Sequence, residues 1–192
     1  MTDTSTNDTF EVAFVCTGNR ARSALSEALY RRYARGFDTS TRSFGTLDVG
    51  GASALAQAVD AGTKLGVDLR AHTAVTLARG VLAEADLVLG FEPHHVAAAV
   101  IDGEAPPARV FLLREFVELT ERSPRADGSP EHARSEVAAA HGRRAKPGSH
   151  TARFVIEDPV GRPSRVMDTV AAEIDELVRR TVHVLFGHLA QT

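Results

Sequence analysis

Phe14-Val15-Cys16-Thr17-Gly18-Asn19-Arg20-Ala21-Arg22-Ser23 is the stretch in which an apolar run passes into a tight polar loop and then into a helical pattern. Residues 9–15 (TFEVAFV) have the β-branched and aromatic composition of a buried parallel strand, and residues 23–34 carry apolar side chains at helical spacing. The loop between them therefore lies at the carboxyl end of a strand and the amino end of a helix, where unpaired backbone N–H groups converge and the helix dipole favours negative charge. An anion fits there. Gly18 is read as permitting the left-handed or otherwise strained backbone that such a nest requires, and Asn19 as the non-glycine residue that best tolerates positive φ. Arg22, six positions after Cys16, is placed to curl back over the cavity and grip two oxygens of a tetrahedral oxyanion. Cys16 then lies at the cavity floor. N–H donors, a helix amino terminus and an arginine all favour the thiolate, which is the nucleophilic form of cysteine. Ser23 is positioned to donate a hydrogen bond to it.

From the composition of this chain, Gly, Asn, Arg and Ser fall by chance at those offsets from the single Cys with a likelihood on the order of one in 10^5. A buried structural thiol, the common fate of a lone intracellular cysteine, has no need of such neighbours. Cys16 to Ser23 resembles the phosphate-binding loop of the low-molecular-weight protein tyrosine phosphatases, C-x-G-N-x-[CA]-R-S directly after the first strand. Ser43-Phe44-Gly45-Thr46 is similar to the S-A-G-T segment of that family, Asp68-Leu69-Arg70-Ala71-His72 to its D-L-x-x-H segment, Ala85-Asp86-Leu87-Val88-Leu89 to its third strand, and Asp158-Pro159 to its acid-bearing D-P loop. The resemblance implies a nucleophile at Cys16, phosphate binding by Thr17, Gly18, Asn19, Arg20, Ala21 and Arg22, and a general acid at Asp158. It also implies that Ser43 and His72 support the loop asparagine, as second-rank members of the site beside Ser23. Taken without the resemblance, Asp158-Pro159 equally suits a plain turn, Ser43 and His72 read as ordinary turn or surface residues, and Glu157 is the fallback acid.

Three positions depart from the common family pattern. Ala21 stands where many members carry a second cysteine, so oxidised Cys16 has no neighbour for a disulfide. Val160 replaces the aromatic residue that usually follows Asp-Pro and walls the slot for a phenyl ring. Arg20 adds a cation beside the loop, while Thr17 puts a hydroxyl after the nucleophile, as in the protein arginine phosphatase branch of the family.

At 192 residues the chain suits a single phosphatase domain over 1–192 with a core of its own. A net charge of −3, dispersed along the chain, offers no nucleic-acid footprint. One cysteine excludes an internal disulfide and a Cys-based zinc site. Residues 1–8 are polar and acidic, unlike a signal peptide, and no apolar run reaches membrane length, so a cytoplasmic protein without a membrane partner is expected.

Strands are predicted at 9–15, 39–44, 86–91 and 109–113, and helices at 23–34, 52–65, 74–84, 93–101, 114–122 and 165–186. The alternation predicts an α/β fold: a three-layer open parallel sheet of about four strands with helices on both faces, the phosphate-binding loop following the first strand. Residues 123–153, rich in Pro, Gly, Ser and Arg, read as a surface insertion in which 131–144 forms a solvated helix, either a lid or docking element near Asp158 or an insertion without a role.

The histidines show no ligand spacing accompanied by carboxylates, and adjacent His94 and His95 read as helix surface; no metal and no cofactor are expected. No nucleotide-binding glycine motif follows a strand. The chemistry predicted is hydrolysis of phosphorylated protein side chains, phosphotyrosine by family default, through a phosphocysteine. The alternatives are a protein arginine phosphatase, an arsenate reductase that borrows an external thiol, and a phosphate-binding module without turnover.

Overall fold

A four-stranded parallel sheet in the order β2-β1-β3-β4 forms the centre of the molecule. Its strands are β1 (Phe10–Cys16), β2 (Thr39–Gly45), β3 (Leu87–Gly90) and β4 (Val110–Leu112). The structure is a computed structural model, in which residues 9–123, 126–144 and 151–187 are described. Helices α1 (Arg22–Tyr33), α2 (Ala56–Lys64), α3 (Pro93–Ile101), α4 (Leu113–Leu119), α5 (Pro130–Arg143) and α6 (Ser164–Phe186) connect and cover the sheet.

β1 is buried on both faces, which its near-continuous apolar run requires. Phe10, Val12, Phe14 and Cys16 point into one core with Leu25 and Leu29 of α1 and Ile174 and Val178 of α6. Ala13 and Val15 point into the opposite core with Val88, Val110 and Ala99. Each large apolar side chain so buried contributes about 1.5–3 kcal/mol. The two layers therefore clamp β1 from both sides, and the residues at its carboxyl end inherit a fixed position.

The 23-residue α6 carries one apolar face, including Met167, Ile174, Leu177, Val182 and Leu185, and ends at Gly187, whose φ of 81° a β-carbon would strain. Its dock on α1 holds the helix whose first turn closes the polar loop. Among the described residues, no helix is long and apolar enough to cross a membrane.

The parallel four-stranded sheet and most elements follow the pattern expected from the sequence, with three differences. Residues 74–84 are not a helix. Gly45 N–H donates to the Val75 carbonyl and Leu77 N–H to the Gly45 carbonyl, each at 2.8 Å, so this β-branched segment pairs along the edge of β2, and Gly80 at φ 73° turns the chain behind it. Tertiary pairing thus overrides a weak helical propensity. α2 begins at Ala56 and not at position 52, because Ser53 bridges to Thr73 and Leu55 N–H is taken by the Arg20 carbonyl at 2.9 Å. α5 is not a solvated helix: Ala133, Val137 and Ala140 are fully or almost fully buried in the main core. Its amphipathic stripe is built of alanine and one valine, too small to register as apolar by composition. Ser129 caps it, accepting from His132 N–H at 3.1 Å. Positions 124–125 and 145–150 of the expected insertion, like 1–8 and 188–192, lie outside the described residues.

Candidate active site

Cys16 ends β1, and its Sγ lies 2.9 Å from Ser23 Oγ, with Asn19 N–H donating to the sulfur at 3.3 Å. The side chain is 3 % exposed, so its reach is confined to the cleft above it. Between Cys16 and α1 the loop turns at Asn19, whose φ is 51°. Gly18 does not take the left-handed conformation that the sequence reading allowed it, and a β-carbon built on it meets nothing within 4 Å. The strained position belongs to asparagine alone.

What holds Asn19 there is a complete set of partners for a fully buried side chain. Its Nδ2 donates to Ser23 Oγ at 2.9 Å and to Ser43 Oγ at 2.8 Å, and its Oδ1 accepts from Val75 N–H at 2.8 Å. The Nε2–H of His72 donates to its backbone carbonyl at 2.6 Å. Ser23, Ser43 and His72 are thus brought together on one residue. Gly45, at the end of β2, permits this approach, since a β-carbon there would lie 3.0 Å from the backbone of Thr17, Gly18 and Asn19. The buried polar network fixes one loop geometry because every donor in it is spoken for.

Among the described residues, the backbone N–H groups of Gly18, Arg20, Ala21 and Arg22 have no hydrogen-bond partner. Together with the amino end of α1 they form a set of donors available to an anion. The Arg22 guanidinium, 2 % exposed, contacts three acceptors: Glu92 Oε1 at 2.5 Å, the Ile156 carbonyl at 3.0 Å and Asp158 Oδ2 at 2.7 Å. A buried guanidinium needs such pairing, because an uncompensated charge out of water is costly. Asp158 also accepts from Val160 N–H through Oδ1 at 3.0 Å, so it shapes its own turn while reaching the arginine. Glu157, the fallback acid, is not brought in; it is exposed and lies 3.9 Å from Arg162.

A cleft of about 220 Å³ opens over these groups, lined by Cys16, Arg22 and Asp158 below and by Leu47, Val49, Leu55 and Val160 at its sides. Arg20 also lines it and is anchored to one wall, its Nε donating to the Ser53 carbonyl at 2.7 Å. A thiol, an unpaired set of N–H donors, a guanidinium and a carboxyl group around one small cleft can bind a tetrahedral anion, attack it and transfer a proton.

The profile of the low molecular weight phosphotyrosine protein phosphatase family matches residues 11–128. The chain belongs to that family. A protein-arginine-phosphatase of Bacillus subtilis (strain 168) is 31% identical over 109 residues, 56% of this chain and 72% of the relative. A crystal structure of a YwlE mutant from Bacillus subtilis covers 91% of this chain and 97% of its own at 26% identity and a TM-score of 0.66. A low molecular weight protein tyrosine phosphatase from T. tengcongensis gives the same identity and TM-score over 90% of this chain and 97% of its own.

Two residues that hold side chains of this phosphatase's cleft from outside it were missed in the sequence. Glu92 follows β3 and holds the second face of Arg22. His95, read as helix surface, is fully buried: its Nδ1 accepts from Phe91 N–H at 3.4 Å and Glu92 N–H at 3.1 Å, leaving the Nε2–H to donate to Thr17 Oγ1 at 3.1 Å. Burial first, and then His94 and Arg22, push its pKa down to about 3, so the ring is neutral at physiological pH. Among the described residues Glu92, His94 and His95 could gather around a metal ion, with ligand atoms within 4.8 Å of one another, but both ring nitrogens of His95 are already engaged. No spacing rule flags either residue. A glutamate and a histidine next to a strand end in an α/β protein are the one available signal, because ligands collect at that edge of the sheet.

Proposed function

We propose that this phosphatase hydrolyses phosphorylated side chains of proteins through a phosphocysteine, with phosphotyrosine as the substrate of first choice. The observation that carries the reading is the convergence of Cys16, Arg22 and Asp158 on one cleft from three distant parts of the chain.

In the resting cleft the Asp158 carboxylate lies on Arg22, where a phosphoryl oxygen of the substrate would sit. Binding is an exchange in which the phosphate takes the guanidinium and the loop N–H groups, from Thr17 to Arg22, and frees Asp158. The freed Asp158 carboxylate takes up a proton from water beside the anionic substrate; the Cys16 thiolate attacks phosphorus, the bond to the leaving oxygen breaks, and Asp158 gives that oxygen the proton. A water then attacks the phosphocysteine, Asp158 takes the water's proton, and the thiolate leaves. Ser23, donating to the sulfur, favours the thiolate both as nucleophile and as leaving group. Arg22 and the N–H groups hold the charge on the equatorial oxygens throughout. A catalytic thiol without a partner cysteine suits a reducing compartment, and the cytoplasm is the proposed site of action.

The similarity to a protein-arginine-phosphatase favours phosphoarginine as a second reading. The test is a parallel assay of the purified protein on a phosphotyrosine peptide, a phosphoarginine peptide and arsenate plus thiol, with Cys16→Ser alongside. Hydrolysis of the phosphotyrosine peptide that vanishes in Cys16→Ser, while the variant still binds a phosphate oxyanion, is expected. Turnover undiminished in Cys16→Ser overturns the covalent route, and preference for phosphoarginine establishes the second reading in place of the first.

A further inference from the structure

Two arginines line the cleft, and they differ in one respect. Arg22 is neutralised by Glu92 and Asp158. Arg20 makes no ion pair among the described residues; its one side-chain hydrogen bond runs from Nε to the neutral Ser53 carbonyl, and its own carbonyl accepts from Leu55 N–H. Backbone and side chain are thereby both tied to the 53–55 wall, and the terminal amino groups carry no protein partner. The rest of that rim is apolar, formed by Leu47, Val49, Leu55 and Val160, with Leu47 56% and Val160 57% exposed. Among the described residues the only carboxylate lining the cleft, Asp158, is committed to Arg22 and to its own turn.

Resting on the phosphoprotein reading given above, we propose that Arg20 is a specificity-determining residue that selects substrates with an aspartate or glutamate next to the phosphorylated residue. The phosphoryl group is served inside the cleft by the loop donors and Arg22. A guanidinium held at the wall by its Nε keeps its two outward nitrogens in a fixed plane, the arrangement that pairs with a carboxylate through two parallel hydrogen bonds. Its apolar neighbours present nothing else to a charged flank, and a lysine or arginine beside the phosphorylated residue meets like charge.

The experiment compares kcat/KM for phosphotyrosine peptides flanked by Asp-Glu, Ala-Ala or Lys-Lys, in wild type, Arg20→Gln and Arg20→Lys, with p-nitrophenyl phosphate as the substrate without flanks. Wild type is expected to prefer acidic over alanine flanks by about two- to fivefold, the range of a partly exposed charge pair, and to disfavour lysine flanks. The acidic-to-alanine ratio should fall to about one in Arg20→Gln, stay above one in Arg20→Lys, and shrink in wild type at about 0.5 M salt. Taking ratios within each protein cancels any common effect on the loop. A wild-type ratio of one, or a ratio unchanged in Arg20→Gln, overturns the proposal; if that variant does not fold, the wild-type ratio and its salt dependence decide. Lack of turnover of every substrate, p-nitrophenyl phosphate included, would instead count against the phosphatase mechanism. The flank preference is then read from binding of the same peptides to Cys16→Ser, where equal affinities overturn it.

Discussion

Replacing Asn19 by alanine removes the centre of the loop's internal support while leaving every reacting group in the sequence. Three hydrogen bonds, to Ser23, Ser43 and Val75, are lost from a side chain with no exposure. At about 0.5–1.5 kcal/mol each, with about 1 kcal/mol added for holding alanine at the positive φ of this position, the sum is about 3–5 kcal/mol. That is a large share of the roughly 5–15 kcal/mol by which a domain is stable. For a chain of this length it predicts a Tm lower by about 6–20 °C. Asn19→Gly loses the same hydrogen bonds without the left-handed penalty, and its Tm should fall between those of alanine and wild type. The assay is thermal and urea unfolding of the three proteins, followed by aryl phosphate turnover well below the lower Tm. The folded fraction of Asn19→Ala should show kcat/KM reduced by about 10^2-fold or more, because reacting groups displaced by about an ångström lose their alignment. Unfolding free energy of Asn19→Ala within about 1 kcal/mol of wild type would refute the claim that this network holds the loop.

Asp158→Asn should slow hydrolysis of an alkyl or phenyl phosphate by about 10^2-fold or more, and that of p-nitrophenyl phosphate far less, since a good leaving group needs little protonation; equal losses on both would reduce Asp158 to a turn former. Gly45→Ala places a β-carbon 3.0 Å from three loop backbone atoms and should cost about 1–3 kcal/mol on urea unfolding, whereas Gly18→Ala, with open space around it, should unfold like wild type. His95 is held neutral, with a pKa near 3 against an ordinary 6.5, so its contribution to stability is complete above about pH 6.5 and is lost as pH falls towards 3, with a limiting slope of about 1.4 kcal/mol per pH unit. Urea unfolding of wild type between pH 7 and pH 5 should show that slope developing, and His95→Gln should flatten it; parallel curves for the two proteins would contradict the buried neutral ring. Installing Tyr at Val160 should raise kcat/KM for an aryl phosphate by up to about tenfold through ring contact, and no change would mean that Leu47, Val49 and Leu55 already complete the wall.

The strand-loop-helix unit from Phe10 through Tyr33 was legible because its signals are local. A β-branched and aromatic run, one cysteine and an arginine six positions later determine the anion-binding loop wherever the rest of the chain goes. The sheet and its helices follow from the same short-range patterns, since the side chains of β1 must be buried on both faces. Asp158, Ser43 and His72 stood in the sequence only by their resemblance to family segments; nothing at their positions forces them towards residue 16. Tertiary structure alone decided that the start of the 74–84 segment pairs with β2 in place of coiling, because Gly45 N–H finds the Val75 carbonyl and the Gly45 carbonyl finds Leu77 N–H, some 30 positions away in the chain. It also decided that Asn19 and not Gly18 bears the left-handed turn, since only the asparagine finds Ser23, Ser43, Val75 and His72 around it. Glu92 and His95 reach residues of the cleft for the same reason: the parallel order β1-β3 sets the end of β3 beside the end of β1, and the partners of Arg22 and Thr17 come from there. Local spacing determines which atoms can react, while the pairing of distant strands decides which atoms hold them in place.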